Sequence, residues 1–405
     1  MSVRRTAGLS VVLMVTVVLP LRAAQDFDFD FDLRAVHSNA TQSRLTGGLG
    51  TTRYSAADNG VQLGEIGLGI RRDLAETVQL IAAAVSFGDR GQPGLGVTEA
   101  YVKWRPLPNH GWRSQLKLGA FYPGISLENR MSGWRSPYSL TPSAINTWVG
   151  EELRTIGAEY ALDWLGQKTG HAFDVGVSAA VFGWNDPAGT LIATRGWGLQ
   201  DQQSTLFGTF GRRDQQPLPE RTLFYDDLDK RAGYHVSANL KFRGVLQLTA
   251  IHYDNRANPA IYSATLDDTA WKTQFNSAGL RFAPNDQLTL IWQRLYGRTY
   301  AGSGPEPNCF AFGSYFTLLS WQQGAARYSV RYDEFTMNQP VSTYGLYDHE
   351  QGHAWMESYS RQWRAHWSVS AELLQVDSRM RSRSWVNLPV AARERQLQLA
   401  LRYSR

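Results

Sequence analysis

Residues Tyr234–Arg243 read Tyr-His-Val-Ser-Ala-Asn-Leu-Lys-Phe-Arg. Tyr234, Val236, Ala238, Leu240 and Phe242 alternate with His235, Ser237, Asn239, Lys241 and Arg243, a period of two with one apolar and one polar face. That is the signature of a β-strand between two different surroundings, because successive side chains leave opposite faces of the pleat. The pattern recurs at Arg327–Asp333, where Tyr328, Val330 and Tyr332 alternate with polar residues, and at Gln396–Tyr403, where Leu397, Leu399, Leu401 and Tyr403 do so.

Sixteen such segments run from 28–37 to 393–403, the later ones at 287–296, 313–322, 326–335, 352–362 and 366–376. They pair through short connections at 72–75, 106–111, 165–170, 244, 283–286, 323–325 and 363–365. Longer connections at 38–60, 88–96, 123–152, 185–230, 255–270, 297–312, 336–351 and 377–392 separate the pairs. Short and long connections alternating around an even number of strands is the layout of an outer-membrane barrel. An open sheet would leave unpaired backbone groups in lipid, so closure follows. The reading is all-β: a transmembrane antiparallel barrel of about sixteen strands, with short periplasmic turns and long external loops.

Aromatic side chains sit near strand ends, as an interface girdle requires. Trp104, Trp112, Trp164, Phe173, Phe242, Phe282, Trp321, Trp363, Trp367 and Tyr403 lie beside short turns or the chain end; Tyr122, Trp184, Tyr253, Trp271 and Tyr296 lie at the opposite ends. Export is expected from Arg4 and Arg5, the apolar run Gly8–Leu21 and the small pair Ala23 and Ala24, which together form a signal-peptide pattern over residues 1–24. Residues 25–405 are expected to form one barrel domain. The destination is the cell outer membrane, with its lipid and lipopolysaccharide as surroundings.

Composition narrows the function further. The 405 residues carry a net charge of +5 with no Lys/Arg-rich block, which argues against nucleic acid. Cys309 is the single cysteine, so neither a disulfide framework nor a cysteine zinc site is expected; it is read as a loop residue. Asp26, Asp28, Asp30 and Asp32 superficially suggest a calcium loop, but the required glycine is missing and alternation puts all four on one strand face. His349 and His353 lack the order of a zinc motif. Asn39 opens a sequon of little weight. No catalytic residue, cofactor or metal site is expected.

The layout, with the terminal segment Gln396–Arg405, resembles the general bacterial porins; Arg405 stands where the resemblance puts a terminal aromatic. The resemblance implies passive diffusion of small hydrophilic solutes, a homotrimer, and a connection after the fifth strand that folds into the lumen. Here that connection is 123–152, so Glu128, Arg130, Arg135, Glu151 and Glu152 are the candidate constriction residues. Alternation assigns Lys103, Arg105, Arg113, Lys117, Lys241, Arg281, Arg327, Arg331 and Arg402 to the lumen, against Glu99, Glu159, Asp163, Asp174, Asp333 and Glu372. The cationic excess gives an expectation of weak anion preference. The alternative is a barrel that works as an adhesin or lipid-modifying enzyme. Its surface would be loop 185–230, with Asp201, Arg212, Arg213, Asp214, Asp226, Asp227 and Asp229, or a serine paired with His252 or His366.

Overall fold

A computed structural model describes residues 25–45, 48–89, 94–211, 221–263, 268–303, 306–342, 345 and 347–405. The signal segment 1–24 and Arg212, Arg213 and Asp214 lie outside the described residues. Sixteen antiparallel strands form a closed barrel in which each pairs with its neighbours in sequence. They are β1 Gln25–Ser38, β2 Gly60–Ala75, β3 Val78–Ser86, β4 Gly96–Trp104, β5 Trp112–Phe121, β6 Thr155–Trp164, β7 Phe173–Gly183 and β8 Gly233–Phe242. The second half comprises β9 Leu246–Asp254, β10 Lys272–Phe282, β11 Leu288–Ala301, β12 Asn308–Gln323, β13 Ala326–Val341, β14 His349–Arg364, β15 Trp367–Met380 and β16 Ala391–Ser404. Two small hairpins, 209–211 with 221–223 and 262–263 with 268–269, decorate the long connections.

Closure is made by β1 on β16, in register from Asp30 opposite Ser404 to Ser38 opposite Gln396. Phe29 and Arg405 exchange backbone hydrogen bonds of 2.9 Å, which continues the ladder past the last paired strand residue. At the short-turn end, Val245 N donates to Phe242 O across Arg243 and Gly244, whose φ values are +48° and +70°. Positive φ at both central positions gives the tight turn whose twist matches an antiparallel pair. The turn expected at 72–75 is displaced: β2 continues to Ala75 and the reversal falls on Glu76–Thr77.

Alternation holds along every strand, but its polarity inverts on one side of the barrel. In the lower part of β13, Arg327, Ser329, Arg331 and Asp333 point inward while Tyr328, Val330 and Tyr332 point out. From Glu334 upward the outer set is Glu334, Thr336 and Asn338, and the inner set is Phe335 and Met337. β11, β12 and β15 change in the same way, with Leu295, Phe312 and Val376 inside and Arg294, Tyr315 and Asp377 outside. These strands therefore run beyond the lipid. This is why β11–β15 reach 14–16 residues and pass the ends expected at 296, 335 and 376. Cys309, expected in a loop, lies buried at the start of β12 for the same reason.

The outer apolar belt is consequently uneven. On β1 it has five positions, Phe27, Phe29, Phe31, Leu33 and Ala35, and on β8 five, from Tyr234 to Phe242. On β13 it has four, Ala326, Tyr328, Val330 and Tyr332, closed above by Glu334, and on β11 three, Leu288, Leu290 and Trp292, closed by Arg294.

Three residues expected in an outer girdle are turned inward instead. Tyr122, Tyr253 and Trp271 are buried, Tyr122 stacked on Trp134 and Tyr253 on Phe275 at centroid distances of 4.4 and 4.7 Å. At the strand ends, apolar contact with the barrel's contents outweighs the headgroup level as a place for these rings.

Leu399 faces outward in the belt of β16, whereas Thr336 faces outward above the belt of β13. Leu399→Arg is expected to destabilise the barrel by about 2–4 kcal/mol and Thr336→Arg by about 0–1 kcal/mol. Urea unfolding in phospholipid bilayers measures both; equal costs would show that the polarity inversion does not mark the lipid edge.

Candidate functional site

Two of the long connections fold into the barrel. Residues 122–154 leave β5, cross the interior and return to β6 through the helix α1, Ala144–Glu152, every residue of which is buried. Ser143 caps α1 by accepting from Asn146 N. Trp148 is fully buried against Phe275, Phe312 and Trp197. The inner apolar faces of β11–β15 supply the opposing surface, so one continuous hydrophobic core joins connection and wall.

Polar docking fixes the register of this connection. Arg331 lies fully buried, 2.7 Å from both Glu128 and Asp333, and donates to the carbonyls of Thr141 and Pro142. Asp333 accepts from Ala144 N, and Glu372 accepts from Leu140 N and Thr141 N. Glu128 also accepts from Ser143 N and from Asn146 Nδ2. Carboxylates bound to backbone N–H groups and a forked guanidinium are strong, directional contacts.

Connection 185–230, expected as an external working surface, is likewise drawn in. Its helix α2, Thr190–Arg195, and the following Trp197 are buried. Trp197 N donates to Glu350 and its indole Nε1 to Thr336 O, each at 2.9 Å. Leu199 N reaches Thr51 O, and Ser204 N reaches Gly150 O, which ties this connection to its neighbours. Glu152 joins the two helices: its carboxylate accepts from Trp148 Nε1, Leu191 N and Ile192 N.

Along the β1–β2 side lies a row of polar cavities with shared lining residues. A cavity of about 60 Å³ near the long-loop end is lined by Glu151, Arg195, Gln200, Gln202 and Gln203. The last three also line a cleft of about 20 Å³ with Glu65, Arg135, Asp201 and Arg402. Ser136, Ser139, Leu140 and Arg402 then connect that cleft to a vestibule of about 530 Å³ at the short-turn end. The cleft has room for about one water molecule. In this conformation it is the smallest of the three.

Charges crowd the cleft and are paired. Arg135 holds Asp30 and lies 3.8 Å from Glu65. Arg402 reaches Asp32 at 2.9 Å, and Asp32 also pairs with Arg34 at 2.6 Å. Arg34 and Arg53 both bind Asp201, at 2.6 and 3.0 Å, and Arg53 binds Asp89 at 2.6 Å. Burial raises the Asp201 carboxyl, but the two guanidinium groups outweigh it and hold the group below its ordinary value.

The residues singled out in the sequence therefore divide. Among the constriction candidates, Arg135 lines the cleft and Glu151 lines the upper cavity, paired with Arg44 at 2.9 Å. Glu128 and Glu152 are engaged in docking and face no cavity, and Arg130 is exposed. Among the lumen charges, Arg113–Asp163 and Lys117–Glu159 pair across β5 and β6 at 2.7 and 2.9 Å. Lys103, Lys241, Arg281 and Arg327 sit on inward positions with no carboxylate in salt-bridge range among the described residues; Arg105 lies just past the end of β4. Glu99 accepts from Tyr122 N, and Asp174 accepts from Gln167. Asp26, Asp28, Asp30 and Asp32 share the inner face of β1, as alternation requires. Arg34 and Arg53, which sequence reading passed over, turn out to be central. Arg34 continues the inward set of Asp28, Asp30 and Asp32, so its position was available from the pattern. Arg53 sits in a connection with no periodicity. His252 bonds Asn276 and Tyr234 on the outer face, with no serine beside it among the described residues.

This architecture matches solved outer-membrane channels. The channel DcaP of Acinetobacter baumannii aligns over 95% of this chain and 97% of its own, with TM-score 0.58 and 11% identity. The chain has the porin fold. The anion-selective porin from Comamonas acidovorans aligns over 95% and 100%, with TM-score 0.53 and 10% identity, and Salmonella typhi OmpF, solved with daunomycin, over 94% and 97%, with TM-score 0.52 and 10% identity. No protein-family model matches the sequence, and no curated protein does.

Burial raises the Glu152 carboxyl to about 7 against the opposing effect of its hydrogen bonds. A raised native value contributes stability at pH below the ordinary glutamate range, and that contribution is lost as pH rises through about 7. Hydrogen exchange at the amides of Leu191 and Ile192, corrected for intrinsic rates, is expected to quicken between pH 5.5 and 8. Glu152→Gln is expected to flatten that dependence; an unchanged profile in the variant would assign the effect elsewhere.

Proposed function

We propose that this protein is a passive outer-membrane diffusion channel for small hydrophilic solutes, narrowed by two infolded connections. The observation that carries the reading is the row of three cavities, sharing lining residues, that lies inside the barrel beside β1 and β2. Its walls are polar and charged, while the outer belt is apolar and fits lipid. Residues 1–24 act as the export signal, the short turns face the periplasm, and the belt meets outer-membrane lipid and lipopolysaccharide. Three copies assemble, as the resemblance to porins implies.

Weak anion preference is supported by the charges left over after pairing. Lys103, Lys241, Arg281 and Arg327 lie inward toward the short-turn end with no carboxylate in salt-bridge range among the described residues. Asp163, Glu159, Asp333 and Asp32 have cationic partners, and Glu99 and Glu372 are taken up by backbone N–H groups, which leaves Asp28 and Asp174 against the four cations. Unpaired cations lining a pore mouth raise the local concentration of anions.

Planar-bilayer recording of the purified full chain tests the reading. Small ohmic steps, clustering in threes and reversing on the anion side in a potassium chloride gradient, are the expected result. Trp197→Ala removes a fully buried anchor of the second connection and is expected to enlarge the steps, since a cavity of this kind costs about 3–5 kcal/mol of local packing. Silence from folded, heat-modifiable protein of both kinds would overturn the channel reading, and reversal on the cation side would overturn the preference.

A further inference from the structure

Resting on the channel reading, we infer that Arg34 and Arg53 form a binding site for the carboxylate of a permeating solute, occupied in this conformation by the protein's own Asp201. Arg34 is on β1 and Arg53 follows it in the first long connection; both are fully buried and both converge on the one carboxylate. Asp201 alone in this group comes from the infolded connection between β7 and β8. Asp32 and Arg34 lie on β1 and Arg402 on β16, Asp89 follows β3, and Arg53 comes from the first long connection. Three arginines thus face three carboxylates, and withdrawal of Asp201 leaves one positive charge uncompensated while Arg34 keeps Asp32 and Arg53 keeps Asp89.

That asymmetry selects the solute. Asp201 lines the cleft of about 20 Å³, which has room for about one water molecule, so a larger solute must displace groups that line it, Asp201 among them. A solute carboxylate that takes its place restores both sets of charge-assisted hydrogen bonds, an exchange of like for like. A neutral solute that displaces Asp201 restores neither of its two ion pairs and leaves one buried positive charge without a counterion, which is disfavoured. The segment carrying Asp201 is polar, Gln200-Asp201-Gln202-Gln203-Ser204, so it tolerates water once released. Arg135, held by Asp30 and Glu65, forms a second charged group lining the same cleft and stays with its own partners.

The test is efflux of labelled lactate and of labelled glycerol, matched in size, from liposomes carrying the full chain, with protein-free liposomes subtracted. Wild type is expected to release lactate about ten times faster than glycerol, the scale of one hydrogen bond to a charged group. Arg53→Gln is expected to bring the two rates close together by slowing lactate. Asp201→Asn is expected to do so by speeding glycerol, since no resident carboxylate then has to be exchanged. Equal rates in wild type, or an Arg53→Gln protein that keeps the wild-type ratio, would overturn the carboxylate site while leaving the channel standing. Release of neither solute by folded wild type or Asp201→Asn would overturn the channel reading and this inference with it.

Discussion

A peptide group in hydrocarbon has no water to bond, and everything else in this molecule follows from that constraint. The ladder from β1 round to β16 pairs strand backbones through the lipid zone, and the joint between first and last strands leaves no edge there. Because the ladder fixes the parity of each side chain, the outer face is free to become greasy and the inner face to carry charge. Arg34, Asp32 and Arg402 meet because β1 and β16 are neighbours, although the residues stand at opposite ends of the chain.

Much of this was legible in the residues. A period of two with polar and apolar faces marks a strand between lipid and water, and several strands carry that trace cleanly, Tyr234–Phe242 most clearly, whereas β3 is largely apolar on both faces. The trace faded where the surroundings changed. Above Asp333 the outer side of β13 meets water and the inner side meets α1 and α2, so Phe335 and Met337 take the side that Arg331 and Asp333 hold below. A reading that follows one polarity stops there, though the strand does not.

The interior was less legible, because its contacts join residues far apart in the chain. Nothing local distinguishes Glu128, which meets Arg331 across the barrel, from Arg130, which meets solvent. Charges expected to line an open pore are instead largely matched: Glu372 and Asp333 bind backbone amides of the crossing connection, and Glu152 caps α2. The cleft draws its charges from β1, β2, β16 and three connections, a gathering that only the closed ladder and two folded-in segments bring about.

The uneven outer belt has a mechanical consequence. Five alternate positions on β1 or β8 cover about 26 Å of strand, four on β13 about 20 Å and three on β11 about 13 Å, at roughly 3.3 Å per residue. A bilayer of uniform thickness cannot match both walls of one cylinder. It must thin against the β11–β13 side or the barrel must lean, and either response stores elastic energy on one flank only. Lipid of shorter chain length is expected to gather along that flank, so the barrel carries a built-in compass for its orientation among its neighbours.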